Sequence, residues 1–303
     1  MPILPCYLTS ESGSLLEEKA ALLEKSLASC TLCPRQCRVN RLESASGYCK
    51  APAELIVSSV FAHYGEEQTL VGVGGSGTIF LTHCNLKCLF CQNYEISIKG
   101  EGARFPPYRL ADAMIDLQKK GCHNINFVTP THYIPGILRS LSLAVARGLS
   151  IPLVYNCSGY ESLETLKLLD GIIDIYMPDI KFLKPELSKK YCNAPDYPDV
   201  AKEAVKEMQR QVGDLVTDER GIARRGLLIR HLVMPSHEEN TRDVLRFIRE
   251  DVSQDAFVNI MAQYHPCHEA FRFPDISRRP STDEYSDAIA YAREIGLTRA
   301  GAK

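Results

Sequence analysis

Three features that would point to nucleic-acid, membrane or secretory roles are missing from this chain. No basic stripe is sustained anywhere and the formal net charge is −2, so composition makes no case for a nucleic-acid partner. No run approaches the roughly 18 apolar residues that a membrane-crossing helix needs. The N-terminus, Met1-Pro-Ile-Leu-Pro-Cys6, has neither the positive flank nor the apolar core of a secretory leader. Together these absences set the expectation of a cytoplasmic protein with no membrane partner. Hydrophobic residues at 45% and charged residues at 24% are ordinary for a globular chain. The 303 residues suffice for one sizeable domain and a small appendage.

Cysteine is what the chain does have. There are twelve, and in a chain this long without a leader they read as metal ligands in a reducing compartment. Cys84, Cys88 and Cys91 have the spacing C-x3-C-x2-C, which is one thiolate short of the usual four-cysteine set of a [4Fe–4S] cluster. One iron would stay open to a non-protein ligand. Zinc prefers four tetrahedral ligands, commonly in C-x2–4-C pairs, and a triplet with Phe90 before its third cysteine fits that poorly. Buried, unliganded thiols are the remaining alternative.

A second group, Cys30, Cys33, Cys37 and Cys49, is broken by Pro34 and Gly47. It suggests a metal-stapled knuckle too short to fold on a core of its own. Its spacing is compatible with structural zinc or with a second Fe–S cluster, and a loop of free thiols is the third possibility. Cys6, Cys122, Cys157, Cys192 and Cys267 are isolated and read as small buried hydrophobes.

Along the chain, a helix opens on the capping pair Ser14 and Glu17 and leads into the knuckle. From Ser76 onward strands alternate with amphipathic helices. Strands are expected at Thr78–Thr82, Ile125–Val128, Ile151–Tyr155, Ile172–Tyr176, Leu227–Val233 and Phe257–Met261. Helices are expected near Tyr108–Lys120, Ile134–Arg147, Glu161–Leu169, Pro185–Val212 (interrupted around Asn193–Pro198), Asn240–Arg249 and Asp283–Ile295. Six βα units imply a parallel sheet with right-handed crossovers, too few to close an eight-stranded barrel. The expected fold is therefore α/β, a partial (β/α)6 barrel. Residues 1–60 would form the helix and Cys-rich extension, 61–270 the barrel and 271–303 a helical tail. Ligands of such folds collect at the strand C-termini. Gly72-Val-Gly74-Gly-Ser-Gly77 matches a dinucleotide fingerprint, but it precedes a strand instead of opening a helix, so it reads as a turn.

Longer motifs surround these features: Gly74-Gly-Ser-Gly-Thr-Ile-Phe80, Cys91-Gln-Asn-Tyr-Glu-Ile-Ser97, Val128-Thr-Pro-Thr-His132, Val154-Tyr-Asn-Cys-Ser-Gly-Tyr160, Asp174-Ile-Tyr-Met-Pro-Asp-Ile-Lys181 and Ile229-Arg-His-Leu-Val-Met-Pro235. From Cys30 to about His265 the chain resembles the glycyl-radical-enzyme activases of the radical S-adenosylmethionine (SAM) superfamily. Within them it is most similar to the PflX-type homologues of pyruvate formate-lyase activating enzyme. The resemblance implies that Cys84, Cys88 and Cys91 hold a [4Fe–4S] cluster whose open iron binds SAM. The reduced cluster would then cleave SAM to give a 5′-deoxyadenosyl radical for hydrogen abstraction.

The same resemblance implies that the Phe90 backbone meets the adenine, and that Asn93, Asp179, Lys181, Arg230 and His265 meet the ribose and carboxylate. These types suit that task, since a carboxylate wants Arg or Lys and a diol wants Asp, Asn or His. An isolated pair such as Asp179–Lys181 would otherwise read as a structural ion pair. Thr129, Thr131 and His132 stand where activases carry Gly-Gly-Glu, so a hydroxyl or backbone carbonyl must receive the SAM amino group. Asn156, Cys157, Met177 and Asp179 fall at a monovalent-cation site, although Asn156-Cys157 replaces an Asp-Thr pair and loses a hard oxygen ligand. His83 stands where activases usually have Gly. The resemblance also implies a flavodoxin or ferredoxin reductant and a glycyl radical enzyme as protein substrate. The alternatives are radical modification of another peptide or small metabolite and, in a different class, a non-enzymatic Fe–S or zinc-knuckle interaction protein.

Overall fold

The computed structural model describes residues 3–9, 12–43 and 47–301. Helix α1 (Ser12–Lys25) precedes the Cys-rich loop, and strand β1 (Ile56–His63) leads into the short helix α2 (Gln68–Val71). The body then runs β2 (Ser76–Leu81), β3 (Ala103–Arg104), α3 (Pro107–Lys119), β4 (Ile125–Val128), α4 (Ile134–Val145), β5 (Leu153–Cys157), α5 (Leu163–Leu168) and β6 (Ile175–Pro178). It continues with α6 (Pro185–Cys192), α7 (Tyr197–Val212), β7 (Val216–Thr217), β8 (Ala223–Leu232), α8 (Glu238–Phe247), β9 (Phe257–Met261), α9 (Thr282–Glu294) and β10 (Ala300–Gly301). The Ser14–Glu17 capping pair rests on a Ser14 side chain outside the described residues, within the span of α1.

The sheet has the order β10-β9-β8-β6-β5-β4-β2-β1-β3, with β7 on β8. Pairings from β2 through β10 along this path are parallel, whereas β1 runs antiparallel to β2 and β3. The fold is thus α/β with an open, mostly parallel sheet, consistent with a partial barrel. Strands β4 and β9 fall on the expected residues. Strands β5 and β6 begin later than expected, and Asp174 lies at both starts. Its carboxylate accepts the backbone N–H of Leu153 and of Cys6, tying the N-terminal segment to the strand starts. Strand β1 was not legible as a strand. It crosses residue 60, where the sequence reading divides the chain.

Period-two alternation sorts each strand into two faces. Ile125, Phe127, Leu153, Tyr155, Cys157, Tyr176, Leu227 and Ile229 join the large core beneath the helices. The other face holds Val154, Ile175, Met177 and Leu228, packed with Leu70 of α2. Helix α2 therefore fills the concave side of the sheet with an apolar plug. The glycines after it make a turn, as expected: a Cβ on Gly74 would lie 1.9 Å from Gly121 O, a clash no rotamer relieves. Among the described residues no helix is long and apolar enough to cross a membrane.

Candidate active site

Above the plug lies a cavity of about 370 Å³. Asn156, Arg230 and Leu232 reach it from the ends of β5 and β8, Asp179 and Lys181 from just beyond β6, and Cys88, Phe90, Cys91 and Asn93 from the loop after β2. The strand-end residues meet because they share the inward face of neighbouring parallel strands: Asp179 and Arg230 form a parallel bridge. Arg230 Nε donates to Asp179 Oδ1 at 2.7 Å and its Nη2 to Asn156 Oδ1 at 2.8 Å. Lys181 Nζ donates to Asp179 Oδ2 at 2.7 Å. Burial pushes the Asp179 carboxyl up, but the two cations more than offset this and hold it at about 2.

Thr129, Thr131 and His265 are not among the cavity-lining residues. The Thr131 hydroxyl donates to Glu161 Oε1 at 2.8 Å, and the Tyr155 hydroxyl donates to Glu161 Oε2 at 2.9 Å. Thr129 has φ +59°, a left-handed conformation costly for a β-branched residue, while its N–H still bonds Asn156 O. His83 likewise has φ +66°, which accounts for the usual glycine there. Its ring is held by Thr82 Oγ1 and the Tyr133 hydroxyl. His265 Nδ1 touches Gln92 Nε2 at 3.1 Å, one residue removed from the cavity. Of the residues assigned to a cation site, Asn156 and Asp179 line the cavity, but Cys157 faces the helix-side core.

Sequence reading missed the floor. Glu66, Glu67, His63 and Asn259 line it. Glu66 Oε2 lies 3.6 Å from Arg230 Nη1, and Glu67 Oε1 accepts from Asn259 Nδ2 at 2.7 Å. Both glutamates sit in the loop before α2, inside no motif; the only signal was two adjacent acids ahead of a buried turn.

The cysteine loop fits a cluster. Cys88 and Cys91 line the cavity, and Cys84 Sγ accepts the Leu86 N–H at 3.3 Å, the kind of hydrogen bond that stabilises ligating sulfur. Burial pushes the Cys84 thiol up to about 12, so a bound metal would have to displace its proton. Among the described residues no three His, Cys, Asp or Glu side chains converge on one ion position. Cysteines holding a [4Fe–4S] cluster would each meet a different iron, so this does not count against a cluster on Cys84, Cys88 and Cys91.

The N-terminal quartet lies beside this loop. Arg35 donates to Asn85 O, Asn193 O and Cys192 O, and its guanidinium stacks 3.9 Å from the Tyr48 ring centroid. Tyr48 N–H donates to Cys37 Sγ at 3.2 Å and Ala51 N–H to Cys49 Sγ at 3.5 Å. Arg41 is 4% exposed; it donates to the carbonyls of Ala51, Pro52 and His132 and lies 3.9 Å from Cys30 Sγ.

A family model described as the Radical SAM superfamily matches residues 78–248. Two uncharacterized proteins of Methanocaldococcus jannaschii are similar along most of the chain. One is 33% identical over 294 residues, covering 94% of this chain and 80% of its own length. The other is 24% identical over 281 residues, covering 83% and 75%. Among solved structures, Streptococcus suis SuiB has 13% identity and a TM-score of 0.48 over 73% of this chain and 47% of its own. A domain of pyruvate-formate lyase-activating enzyme from Bacteroides vulgatus has 13% identity and a TM-score of 0.38 over 65% and 91%. The chain spans about half the length of SuiB, and these structural likenesses are too distant to carry an argument about chemistry. The family match covers more than half of the chain and takes in the cysteine loop and the strand-end residues as far as Arg230: the chain belongs to the Radical SAM superfamily.

Proposed function

We propose that the chain is an enzyme that holds a [4Fe–4S] cluster on Cys84, Cys88 and Cys91, binds SAM in the adjoining cavity and abstracts a hydrogen atom from its substrate. One observation carries this reading: two of the three loop cysteines share a single cavity with Asp179, Lys181 and Arg230. Bound there, cluster and SAM supply a one-electron reductive cleavage and a hydrogen-abstracting radical. The chain's part is to bind, orient and exclude water. Arg230 and Lys181 suit the SAM carboxylate, and Asn93 and Asp179 its ribose hydroxyls. Counted formally, Glu66, Glu67 and Asp179 against Lys181 and Arg230 leave one negative charge in the cavity, opposite to the net positive charge of SAM.

The finer reading is that the substrate is a backbone glycine of a glycyl radical enzyme, with a flavodoxin or ferredoxin as reductant. The collinear motifs from Cys30 to His265 support it. A second reading, a peptide or small molecule bearing a cationic group, is favoured by the Glu66–Glu67 floor. Below Val128, on the same inward alternation of β4, Asn126 is fully buried and both its amide atoms lack a partner. Such a group is expected to have a purpose. The N-terminal quartet is proposed to bind a second metal: Arg41, buried against carbonyls and Cys30, would be costly beside four neutral thiols and compensated beside thiolates.

Electron paramagnetic resonance (EPR) of the reduced, anaerobically reconstituted enzyme, with and without SAM, tests the main reading. The cluster signal should shift on adding SAM, and 5′-deoxyadenosine should form. Formation of 5′-deoxyadenosine by a Cys84→Ala/Cys88→Ala/Cys91→Ala chain would disprove it. Incubation with a glycyl radical enzyme, read by the glycyl radical signal, decides between the two substrate readings.

A further inference from the structure

Cys192 belongs to no motif and has no part in the site above, yet its thiol donates to Cys88 Sγ at 3.3 Å. The backbones fix this approach. Leu89 N–H donates to Tyr191 O at 2.9 Å, so the two segments are joined one residue away from the sulfurs. On the other side Arg35 Nη2 holds Cys192 O at 3.3 Å, and Cys192 itself is the last residue of α6. Cys88 lines the cavity, whereas Cys192 behind it is 1% exposed. From the cavity, Cys88 is therefore reached before Cys192. A disulfide has an S–S length of about 2.05 Å, so bonding requires the sulfurs to approach by a further ~1.2 Å.

We propose that Cys88 and Cys192 form a reversible disulfide in the cluster-free chain, a redox modification that withdraws one cluster ligand. Its effect on loading rests on the reading of Cys88 as a ligand; the bond itself does not. The oxidant is a low-molecular-weight disulfide of the glutathione type. Cys88 attacks it, forming a mixed disulfide and releasing one thiol; Cys192 then attacks the Cys88 sulfur and expels the second thiol. Two protein thiols lose two protons and two electrons, and one oxidant disulfide becomes two thiols. A thiol reductant reverses the exchange, and an already bound cluster prevents it by occupying Cys88.

The test uses the full chain, cluster-free and reduced, exposed anaerobically to oxidised glutathione. Remaining thiols are then alkylated under denaturing conditions and the chain is digested with trypsin without reductant. A peptide of residues 88–99 joined to one of 191–202 through Cys88 and Cys192 is expected. It should vanish with dithiothreitol, in Cys192→Ala, and in chain loaded with cluster before oxidation. Cys88 recovered alkylated, or joined only to glutathione, Cys84 or Cys91, would overturn the proposal. Loading is read separately by the SAM-responsive EPR signal. Oxidised wild type should regain less than a tenth of the reduced chain's signal until dithiothreitol is added, while oxidised Cys192→Ala, which stops at the mixed disulfide, should carry glutathione on Cys88 in place of the cross-link. Full loading with the disulfide intact would overturn the withdrawal of a ligand. No signal in reduced chain would instead count against the proposed function and leave the peptide result standing.

Discussion

Asp179 and Arg230, 51 residues apart, meet through Nε and Oδ1 at 2.7 Å, with Lys181 on the other carboxylate oxygen at 2.7 Å. One carboxylate thus separates two cations in a largely buried setting. Asp179→Asn should cost about 3–5 kcal/mol of folding stability, because it removes the carboxylate from Lys181 and leaves Arg230 only the more distant Glu66. The pH dependence has a definite sign. With the carboxyl held at about 2, its contribution is complete above the usual carboxylate range and is lost as pH falls toward 2. Denaturant titrations of both chains between pH 2 and 6 measure it, and coincident curves would show that the pair contributes nothing.

Arg230 is the group expected to bind the SAM carboxylate. Arg230→Ala should weaken SAM binding by about 2–4 kcal/mol, and Lys should restore only part of it, since an ammonium lacks the two-pronged donor geometry. Isothermal titration at constant cluster content reads this. Unchanged affinity would make Arg230 a purely structural partner of Asp179 and Asn156.

Glu161 carries a pH signature of opposite sign. Burial raises its carboxyl to about 7, against the lowering effect of hydrogen bonds from Thr131 and Tyr155. The folded chain therefore holds a proton that the unfolded chain releases near pH 4.5. Its contribution to stability is complete below that value and declines as pH rises through about 7. Glu161→Gln should flatten the stability profile in this window. A profile that keeps its slope would assign the effect to another group, such as Asp174, which burial also raises, to about 6.

Thr129 holds φ +59° with a branched side chain. Thr129→Gly should relieve that conformation and raise folding stability by about 1 kcal/mol, seen as a higher denaturant midpoint at unchanged slope. A loss of stability would mean that the side chain's packing outweighs the backbone strain.

The Cys-rich knuckle is tied to the cluster loop by Arg35 and by Lys87 Nζ, which donates to Tyr48 O at 2.5 Å. If Cys30, Cys33, Cys37 and Cys49 bind a second metal, Cys33→Ser should expose the 30–50 segment to proteolysis and leave the SAM-shifted EPR signal intact. Metal analysis of the wild type settles which metal. About eight irons per chain with no zinc would indicate a second cluster, and about four irons with one zinc a structural site.

The sequence by itself determined the elements whose signals are local. Alternation of apolar strands with amphipathic helices placed β4 and β9 on their residues, and the close spacing of Cys84, Cys88 and Cys91 picked out the loop proposed to hold a cluster, because its cysteines lie within one short segment. The strand-end polar residues could be named because the motifs that carry the family resemblance are themselves contiguous in sequence. What they bond to was decided only by the tertiary structure. Asp179 meets Arg230 because β6 and β8 pair in parallel register, and Thr131 is drawn to Glu161 by a buried carboxylate 30 residues away. The Glu66–Glu67 floor exists because α2 folds back into the concave face of the sheet, a placement with no periodicity to announce it. Cys192 read as one more buried thiol until α6 brought it against Cys88. Contacts between distant segments depend on how layers pack, and no local pattern encodes that.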